Sequence, residues 1–411
     1  MNIRNLLIVC FTAVLCACNP NNQTGGNGVT EPVNMHLSPA QVAMTTQSNS
    51  FSIGLLQKVY TSEEASENVV LSPLSASMAL GMVMNGADGN TLRQMQEALG
   101  FGEETTMEDI NAYYQTLIKA LPALDQSNTL RLANSIWVNS GYQLKDAFLQ
   151  TNQEYFSAAA RNVDFCAPAT AGIINGWASD NTNRLIEKVV EANELCGLQL
   201  LLANALYFKG VWATQFDKKQ TYQDNFQTAA GQSVKADYMC CTDGYGYYED
   251  EALQIVELPY KEDKYCMDIL LPAKDKTIKD LLSALEAGQW AGYIKGMQSR
   301  EVMVTIPKFR LSYGVTLNDV LQEMGMKDAF NPFTADFSQM SETPLCISDV
   351  KQVCQINVDE EGTEAAAVTT VGMYDTAILG KSFKADRPFL FIIREKQYGT
   401  ILFASVVGNP C

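Results

Sequence analysis

The stretch DEEGTEAAAVTTVGMYDTAILG, Asp359 to Gly380, decides how the chain is read. It follows a run with the period of a strand, Val350 to Val358. There Val350, Gln352, Cys354, Ile356 and Val358 share one face, and Lys351, Gln355 and Asn357 share the other. Beyond Gly362 the alternation resumes. Thr363, Ala365, Ala367, Thr369, Val371 and Met373 make one uncharged face, and Glu364, Ala366, Val368, Thr370, Gly372 and Tyr374 make the other. Such a segment can pair as a strand, yet it is small, rich in Ala and Thr, and broken by Gly362 and Gly372, so it can also stand as an exposed loop. An edge strand or a linker would have the same composition, and the flanks have to decide.

The flanks read as one long mixed domain. Pro39 to Tyr60 is helical, and Asn68 to Leu71 is a short strand entering a helix, with Ser72 placed as N-cap and Pro73 as first helical residue. Thr91 and Gln94 have capping-box spacing for a further helix that buries Leu92, Met95 and Leu99. Leu130 to Val138 alternates as a strand, and Ala171 to Val190 reads as a helix. Leu198 to Tyr207 is apolar enough for a strand buried on both faces, so Asn204 within it needs hydrogen-bond partners. Val256 to Tyr260, Met267 to Pro272 and Val302 to Phe309 make the later half strand-rich. Groups of strands separated by helices give an α+β class rather than strict βαβ alternation. No linker, repeat or composition break follows Ser38, so residues 38–411 are expected to form a single domain.

Charge and composition exclude several functions. The 411 residues carry 46 acidic against 29 basic side chains, a net charge of -17, with no cluster of Lys and Arg to reverse it. A nucleic-acid partner is therefore not expected. The single histidine, His36, removes the Ser-His-Asp and Cys-His hydrolase constellations and histidine-ligated metal sites. No Gly-x-Ser-x-Gly elbow, phosphate-cradling loop or dinucleotide fingerprint occurs. The expectation is a protein that is not an enzyme and uses no cofactor or metal.

Residues 1–17 have the form of a cleaved signal peptide, with Arg4 ahead of an apolar run from Leu6 to Ala17 that is too short to span a bilayer. Leu15-Cys16-Ala17-Cys18 resembles the bacterial lipobox, in which the last Cys receives lipid, here Cys18. Lipid there would anchor the chain in a bacterial cell envelope, at the outer membrane on its periplasmic or surface face, with simple secretion to the exterior as the alternative. Residues 18–37 then form a flexible tether, polar and rich in Gly and Asn. Eight further cysteines, Cys166, Cys196, Cys240, Cys241, Cys266, Cys346, Cys354 and Cys411, show no metal-ligand spacing. An oxidising compartment would let some of them pair, but spacing does not reveal which, and most are expected to be buried thiols.

The 359–380 stretch resembles the hinge and reactive loop of the serpins, where Glu, Gly, Thr, Glu and a run of Ala stand as Glu361, Gly362, Thr363, Glu364, Ala365, Ala366 and Ala367 do here. Arg387 to Phe391 and Ile401 to Pro410 are similar to that family's closing strands, and Asn68 to Leu99 and Phe330 to Ser338 are serpin-like as well. The resemblance runs from about residue 40 to residue 411. It implies a serpin-like single domain: multiple helices around a large mixed β-sheet A, smaller sheets B and C, and an exposed reactive-centre loop.

The resemblance also implies a mechanism, the single-use trap. A protease attacks the loop, forms its acyl-enzyme, and is carried across the inhibitor as the cleaved loop enters the main sheet as a new strand. About 14 residues, Thr363 to Thr376, at about 3.3 Å each give a displacement on the order of 45 Å. The residues entering first must be small, and Thr363, Ala365, Ala367 and Thr369 are, while Glu364 falls on the outward face. This is an inhibitory type of hinge. Counting as the family does puts the reactive bond at Thr376-Ala377, which suits an elastase-like serine protease; cysteine proteases are a further class of target. A shift of one or two residues would offer Asp375 or Tyr374, the latter fitting a chymotrypsin-like enzyme. No Lys or Arg occurs between Asp359 and Gly380, so trypsin-like enzymes are expected to be poor targets.

Other residues match the family's sheet-opening region. Ser72, Ser75 and Asn204 correspond to a polar cluster beneath the sheet, where Gln352 stands in place of the usual histidine and removes its pH sensitivity. Trp212, Lys308 and Glu360 correspond to the region where insertion begins, with an ion pair expected between Glu360 and Lys308. The inhibitor would act as a monomer. The reading left open beside it is a non-inhibitory, surface-anchored binding protein on the same scaffold.

Overall fold

The computed structural model describes residues 34–62, 67–158, 160–363 and 380–411. Its helices are α1 (Pro39–Ser62), α2 (Pro73–Met84), α3 (Gly89–Ala98), α4 (Met107–Ala120), α5 (Asp146–Phe156), α6 (Thr170–Asn181), α7 (Ala192–Leu195), α8 (Ile278–Ala284), α9 (Ala287–Gly296) and α10 (Asn318–Glu323). The strands of the first half are β1 (Asn68–Leu71), β2 (Thr129–Asn139), β3 (Ala160–Val163), β4 (Leu200–Val211), β5 (Tyr222–Gln227), β6 (Ser233–Glu249) and β7 (Leu253–Pro259). Then come β8 (Tyr265–Pro272), β9 (Gln298–Pro307), β10 (Phe309–Thr316), β11 (Asp349–Val358), β12 (Gly362–Thr363), β13 (Lys381–Lys384), β14 (Phe389–Glu395) and β15 (Ile401–Val407).

Two sheets carry the core. One has six strands in the order β10-β11-β12-β4-β2-β3 and mixes directions, with β11 parallel to β4 and β3 parallel to β2. It is the mixed sheet that the resemblance implies. The strands outside it join into one nine-stranded network, β1-β15-β14-β8-β7-β6-β9-β13, with β5 beside β6. Helix α2 packs on β2 and β4 of the first sheet and β15 of the second, and all its residues are buried. Its sequence PLSASMALGMVM has no charged residue, as an internal helix requires. On the other face of the six-stranded sheet lies α6, where Ile174 and Ala178 pack against Trp137, Leu201, Ala203 and Ala205. Each large apolar side chain sealed there contributes about 1.5–3 kcal/mol.

Three sequence expectations change. The helix expected over Ala171 to Val190 ends at Asn181, where Asn183 and Arg184 take left-handed φ values of 53° and 64° and Thr182 Oγ1 accepts from the Ile186 amide. Asn and Thr side chains offer the backbone local bonds that compete with a helix. The strand expected over Val302 to Phe309 is two strands in different sheets, with Lys308 at the corner between β9 and β10. Pro307, which has no amide hydrogen, closes the first of them. Helix α3 is capped by Asp88 rather than Thr91. Thr91 Oγ1 and Gln94 Oε1 instead accept from the backbone amides of Asp336 and Asp328.

Candidate functional site: a half-open seam in the mixed sheet

Strands β11 and β4 are direct neighbours for only part of their length. From Asp349↔Leu201 to Val353↔Ala205 they pair in parallel. Beyond Val353 they part, and β12 enters between them. Thr363 pairs with Val358 of β11 and with Gly210 of β4, and Gly362 pairs with Val211. Among the described residues, 354–357 of β11 and 206–209 of β4 have no strand partner across this seam. The seam is closed at one end and wedged at the other.

A tight turn delivers the wedge. The Asp359 amide donates to Gly362 O at 2.9 Å, and the Asp359 carboxylate accepts from the amides of Glu361 at 2.9 Å and Gly362 at 3.3 Å. Glycine is needed at both contacting positions, because a Cβ on Gly362 would stand 1.9 Å from the Gly210 carbonyl oxygen and one on Gly210 would stand 2.5 Å from the Tyr260 ring. Trp212 stacks on Tyr260 with ring centroids 4.8 Å apart and donates Nε1 to Asp359 O and its amide to Glu361 O. The hydroxyls of Tyr260 and Thr363 lie 2.7 Å apart.

Two glutamates of the turn point inward. Glu360, its side chain 4% exposed, accepts from Lys308 Nζ at 3.0 Å and from Thr221 Oγ1 at 2.7 Å. Burial pushes its carboxyl up, but the Thr221 and Lys308 donors outweigh that and hold it below the usual glutamate range. Glu361 pairs with Lys218. The Lys308 corner between the two sheets is thereby tied to the turn that carries β12.

At the closed end of the seam a polar cluster spans three strands. Gln352 of β11 and Asn204 of β4 are register partners, and Asn134 of β2 is the register partner of Asn204 on its other side. Gln352 Nε2 donates to Asn204 Oδ1 at 2.8 Å and to Ser72 O at 2.9 Å, while Gln352 Oε1 accepts from the Ser72 amide at 3.0 Å. Asn204 Nδ2 lies 2.5 Å from both Ser75 Oγ and Asn134 Oδ1. Ser72, Ser75, Asn204 and Gln352 are all buried. Ser72 stands at the N-cap position of α2, but its hydroxyl donates to Leu402 O at 3.1 Å rather than capping the helix.

The sequence-chosen residues thus fall into two groups. Trp212, Lys308, Glu360, Glu361, Gly362 and Thr363 surround the wedge, and Ser72, Ser75, Asn204 and Gln352 hold the closed end. Glu364, Ala365, Ala366, Ala367, the expected reactive bond Thr376-Ala377 and the expected lipid site Cys18 lie outside the described residues. Gly210, Thr221, Tyr260 and Asn134 join the site without having been singled out. A glycine inside a strand pattern, as in Lys209-Gly210-Val211, is the one signal among them, since it marks a close backbone approach.

A mixed sheet in which two strands pair at one end and take a short third strand between them at the other defines the architecture to be compared with known proteins. The family model described as Serpin (serine protease inhibitor) matches residues 46–410. The chain is 36% identical to an uncharacterized serpin-like protein of Thermococcus kodakarensis, over 88% of this chain and 84% of that one. It is 34% identical to intracellular coagulation inhibitor 2 of Tachypleus tridentatus, over 89% and 90% of the two chains. Among solved structures it is similar to the thermophilic serpin tengpin in its native state, with a TM-score of 0.83, 31% identity and 92% and 96% of the chains covered. It is likewise similar to human thyroxine-binding globulin in complex with its ligand, with a TM-score of 0.83, 25% identity and 90% and 99% covered. The chain belongs to the serpin family, whose members are typically protease inhibitors rather than catalysts.

Proposed function

We propose that the protein is an inhibitory serpin that traps its target covalently. The observation that supports this best is β12, which lies between β11 and β4 while their far ends are still paired. In this reading the protease serine attacks the Thr376 carbonyl, the acyl-enzyme forms, and the Ala377 amine is the leaving group, its peptide staying in the fold through β13, β14 and β15. The strand then grows from Thr363 along the seam and carries the acylated enzyme with it, over a distance on the order of 45 Å. Each seam residue gains a strand neighbour, which supplies the driving force. A small apolar residue pair at the reactive bond favours elastase-like targets, with cysteine proteases open to the same acyl chemistry. Export with a lipid on Cys18 would place the inhibitor, as a monomer, on the cell envelope; Leu15-Cys16-Ala17-Cys18 is the sequence support for that.

The test mixes the protein with elastase-like, chymotrypsin-like and trypsin-like proteases, followed by denaturing gels and sequencing of the released peptide. An SDS-resistant adduct and a peptide starting at Ala377 are expected with the elastase-like enzyme. Cleavage within the loop and no adduct with any protease would favour the second reading, a binding protein on this scaffold. Thyroxine-binding globulin, which shares the fold, is the precedent for that reading.

A further inference from the structure

One segment crosses the closed end of the seam like a strap. After β3 the chain passes Phe165 and Cys166, lays α6 over β2 and β4, returns through residues 182–191 and α7, and enters β4 after Cys196. Asn175 binds the return to the helix, its Oδ1 accepting from the amides of Val189 and Val190 and its Nδ2 donating to Val190 O. The return reaches β11 as well. Val353 packs against the same apolar cluster as Val189 and Val190, and Glu194 of α7 pairs with Lys351 at 2.5 Å.

The grip is uneven. On the β2 and β4 side Ile174 and Ala178 are fully buried, whereas on the β11 side a cleft of about 260 Å³ opens beside Val189, Val190, Val315 and Val353. The strap therefore overlies the five pairs, Asp349↔Leu201 to Val353↔Ala205, that must part before a strand can run the whole seam. Parting them moves β11 away from β4 by one strand spacing, about 4.8 Å.

Cys166 and Cys196, both exposed, are joined by a disulfide across 30 residues. The bond ties the end of α7 to the start of the strap, beside the buried Phe165. The bond thus holds the end of α7 to the chain that leaves β3, next to β2, while Glu194 reaches across to Lys351 of β11. We infer that the Cys166–Cys196 disulfide is a redox-modifiable brake on strand insertion, open to a dithiol reductant. Oxidised, it holds the strap across the seam; reduced, it frees α7 to move with β11 and the lower seam parts more readily. The exchange is two-electron. One thiolate of the reductant attacks a cystine sulfur and breaks the S–S bond, its second thiol resolves the mixed disulfide, and Cys166 and Cys196 become thiols while the reductant leaves as a disulfide. This brake rests on the insertion reading above.

The test anneals a synthetic peptide with the sequence of residues 363–376 to the intact, uncleaved protein and follows the rise in thermal midpoint with time. Oxidised protein, mildly reduced protein and the Cys166→Ser/Cys196→Ser variant are compared, all with free thiols blocked. Both disulfide-free samples are expected to anneal about ten-fold faster, to the same final midpoint gain, as removal of one half-exposed ion pair and its neighbouring contact from the opening barrier would give. Glu194→Gln in the oxidised protein should give a smaller acceleration. Equal half-times with an undiminished final gain would overturn the brake and leave insertion standing. No gain in any sample, with peptide or after loop cleavage, would remove insertion and the brake together.

Discussion

Gln352 and Asn204 are register partners across the closed end of the seam, and the Gln352 amide donates to Asn204 Oδ1 at 2.8 Å while also satisfying both backbone polar groups of Ser72. One side chain thus ties β11 to β4 and to the start of α2. Truncating it takes the acceptor from the buried Ser72 amide and the donor from Asn204 Oδ1, while the Ser72 carbonyl keeps the Ala76 amide, so Gln352→Ala should destabilise the uncleaved protein by about 2–4 kcal/mol in chemical denaturation. Gln352→His should introduce a pH dependence of stability near pH 6.5 that the parent protein lacks at this position.

The same register makes a prediction about the inserted strand. Gly362↔Val211, Thr363↔Gly210 and Val358↔Thr363, extended along the seam, would bring Thr369 between Asn204 and Gln352. A hydroxyl there could replace the hydrogen bond from Gln352 Nε2 to Asn204 Oδ1 that insertion would break. Thr369→Glu would have to bury a charge at that point. The expected result is a cleaved product in place of the SDS-resistant adduct, with the thermal midpoint of the uncleaved protein unchanged, and Thr369→Ser should preserve the adduct.

On the insertion reading, entry depends on Gly362. A Cβ there would meet the Gly210 carbonyl oxygen at 1.9 Å, a distance only backbone movement can relieve. Gly362→Val is expected to keep β12 out of the seam and abolish adduct formation while loop cleavage continues. Retention of full adduct yield would show that the wedge is dispensable.

Acid should loosen the turn. Glu360 has its carboxyl held below the usual range near 4.5, against the effect of burial, by Thr221 and Lys308. A carboxyl whose pKa falls on folding stabilises the fold above its unfolded value and loses that contribution as pH drops through the native one. The difference in thermal midpoint between the parent protein and Glu360→Gln should therefore be full at neutral pH and vanish below the glutamate range. A constant difference down to about pH 3 would assign Glu360 no charge-dependent role.

In the nine-stranded sheet, Arg394 is buried with Asp268, Nε to Oδ2 2.6 Å, and also pairs with Glu257. Glu257, Cys266 and Asp268 bring ligand atoms within 4.8 Å of one another, but Arg394 bonds both carboxylates and Lys396 pairs with Glu257 as well. Asp268→Ala leaves that cation under-compensated in the interior of the nine-stranded sheet. A loss of about 3–5 kcal/mol in denaturant unfolding is expected.

What was legible in the sequence was local. The alternation of β11 appears in the structure as strict burial of every second residue from Val350 to Val358, because side chains on a strand change face at each step. The apolar run around Asn204 likewise forms a strand buried along most of its length. Where local propensity competed with side-chain hydrogen bonding, as after Asn181, or where one apolar run turned a corner, as at Lys308, the reading by period went astray.

The sequence by itself determined the α+β class, the small uncharged face that begins at Thr363 and the requirement that Asn204 find partners, since period, side-chain size and hydrogen-bonding capacity belong to the residues themselves. Only the tertiary structure decided that Asn134 and Gln352 flank Asn204, that Gly362 meets Gly210, that Thr221 joins Lys308 on Glu360, and that Cys166 pairs with Cys196. Those relationships follow from strand order and register, which are set by how the whole chain packs, and no spacing along the chain encodes them.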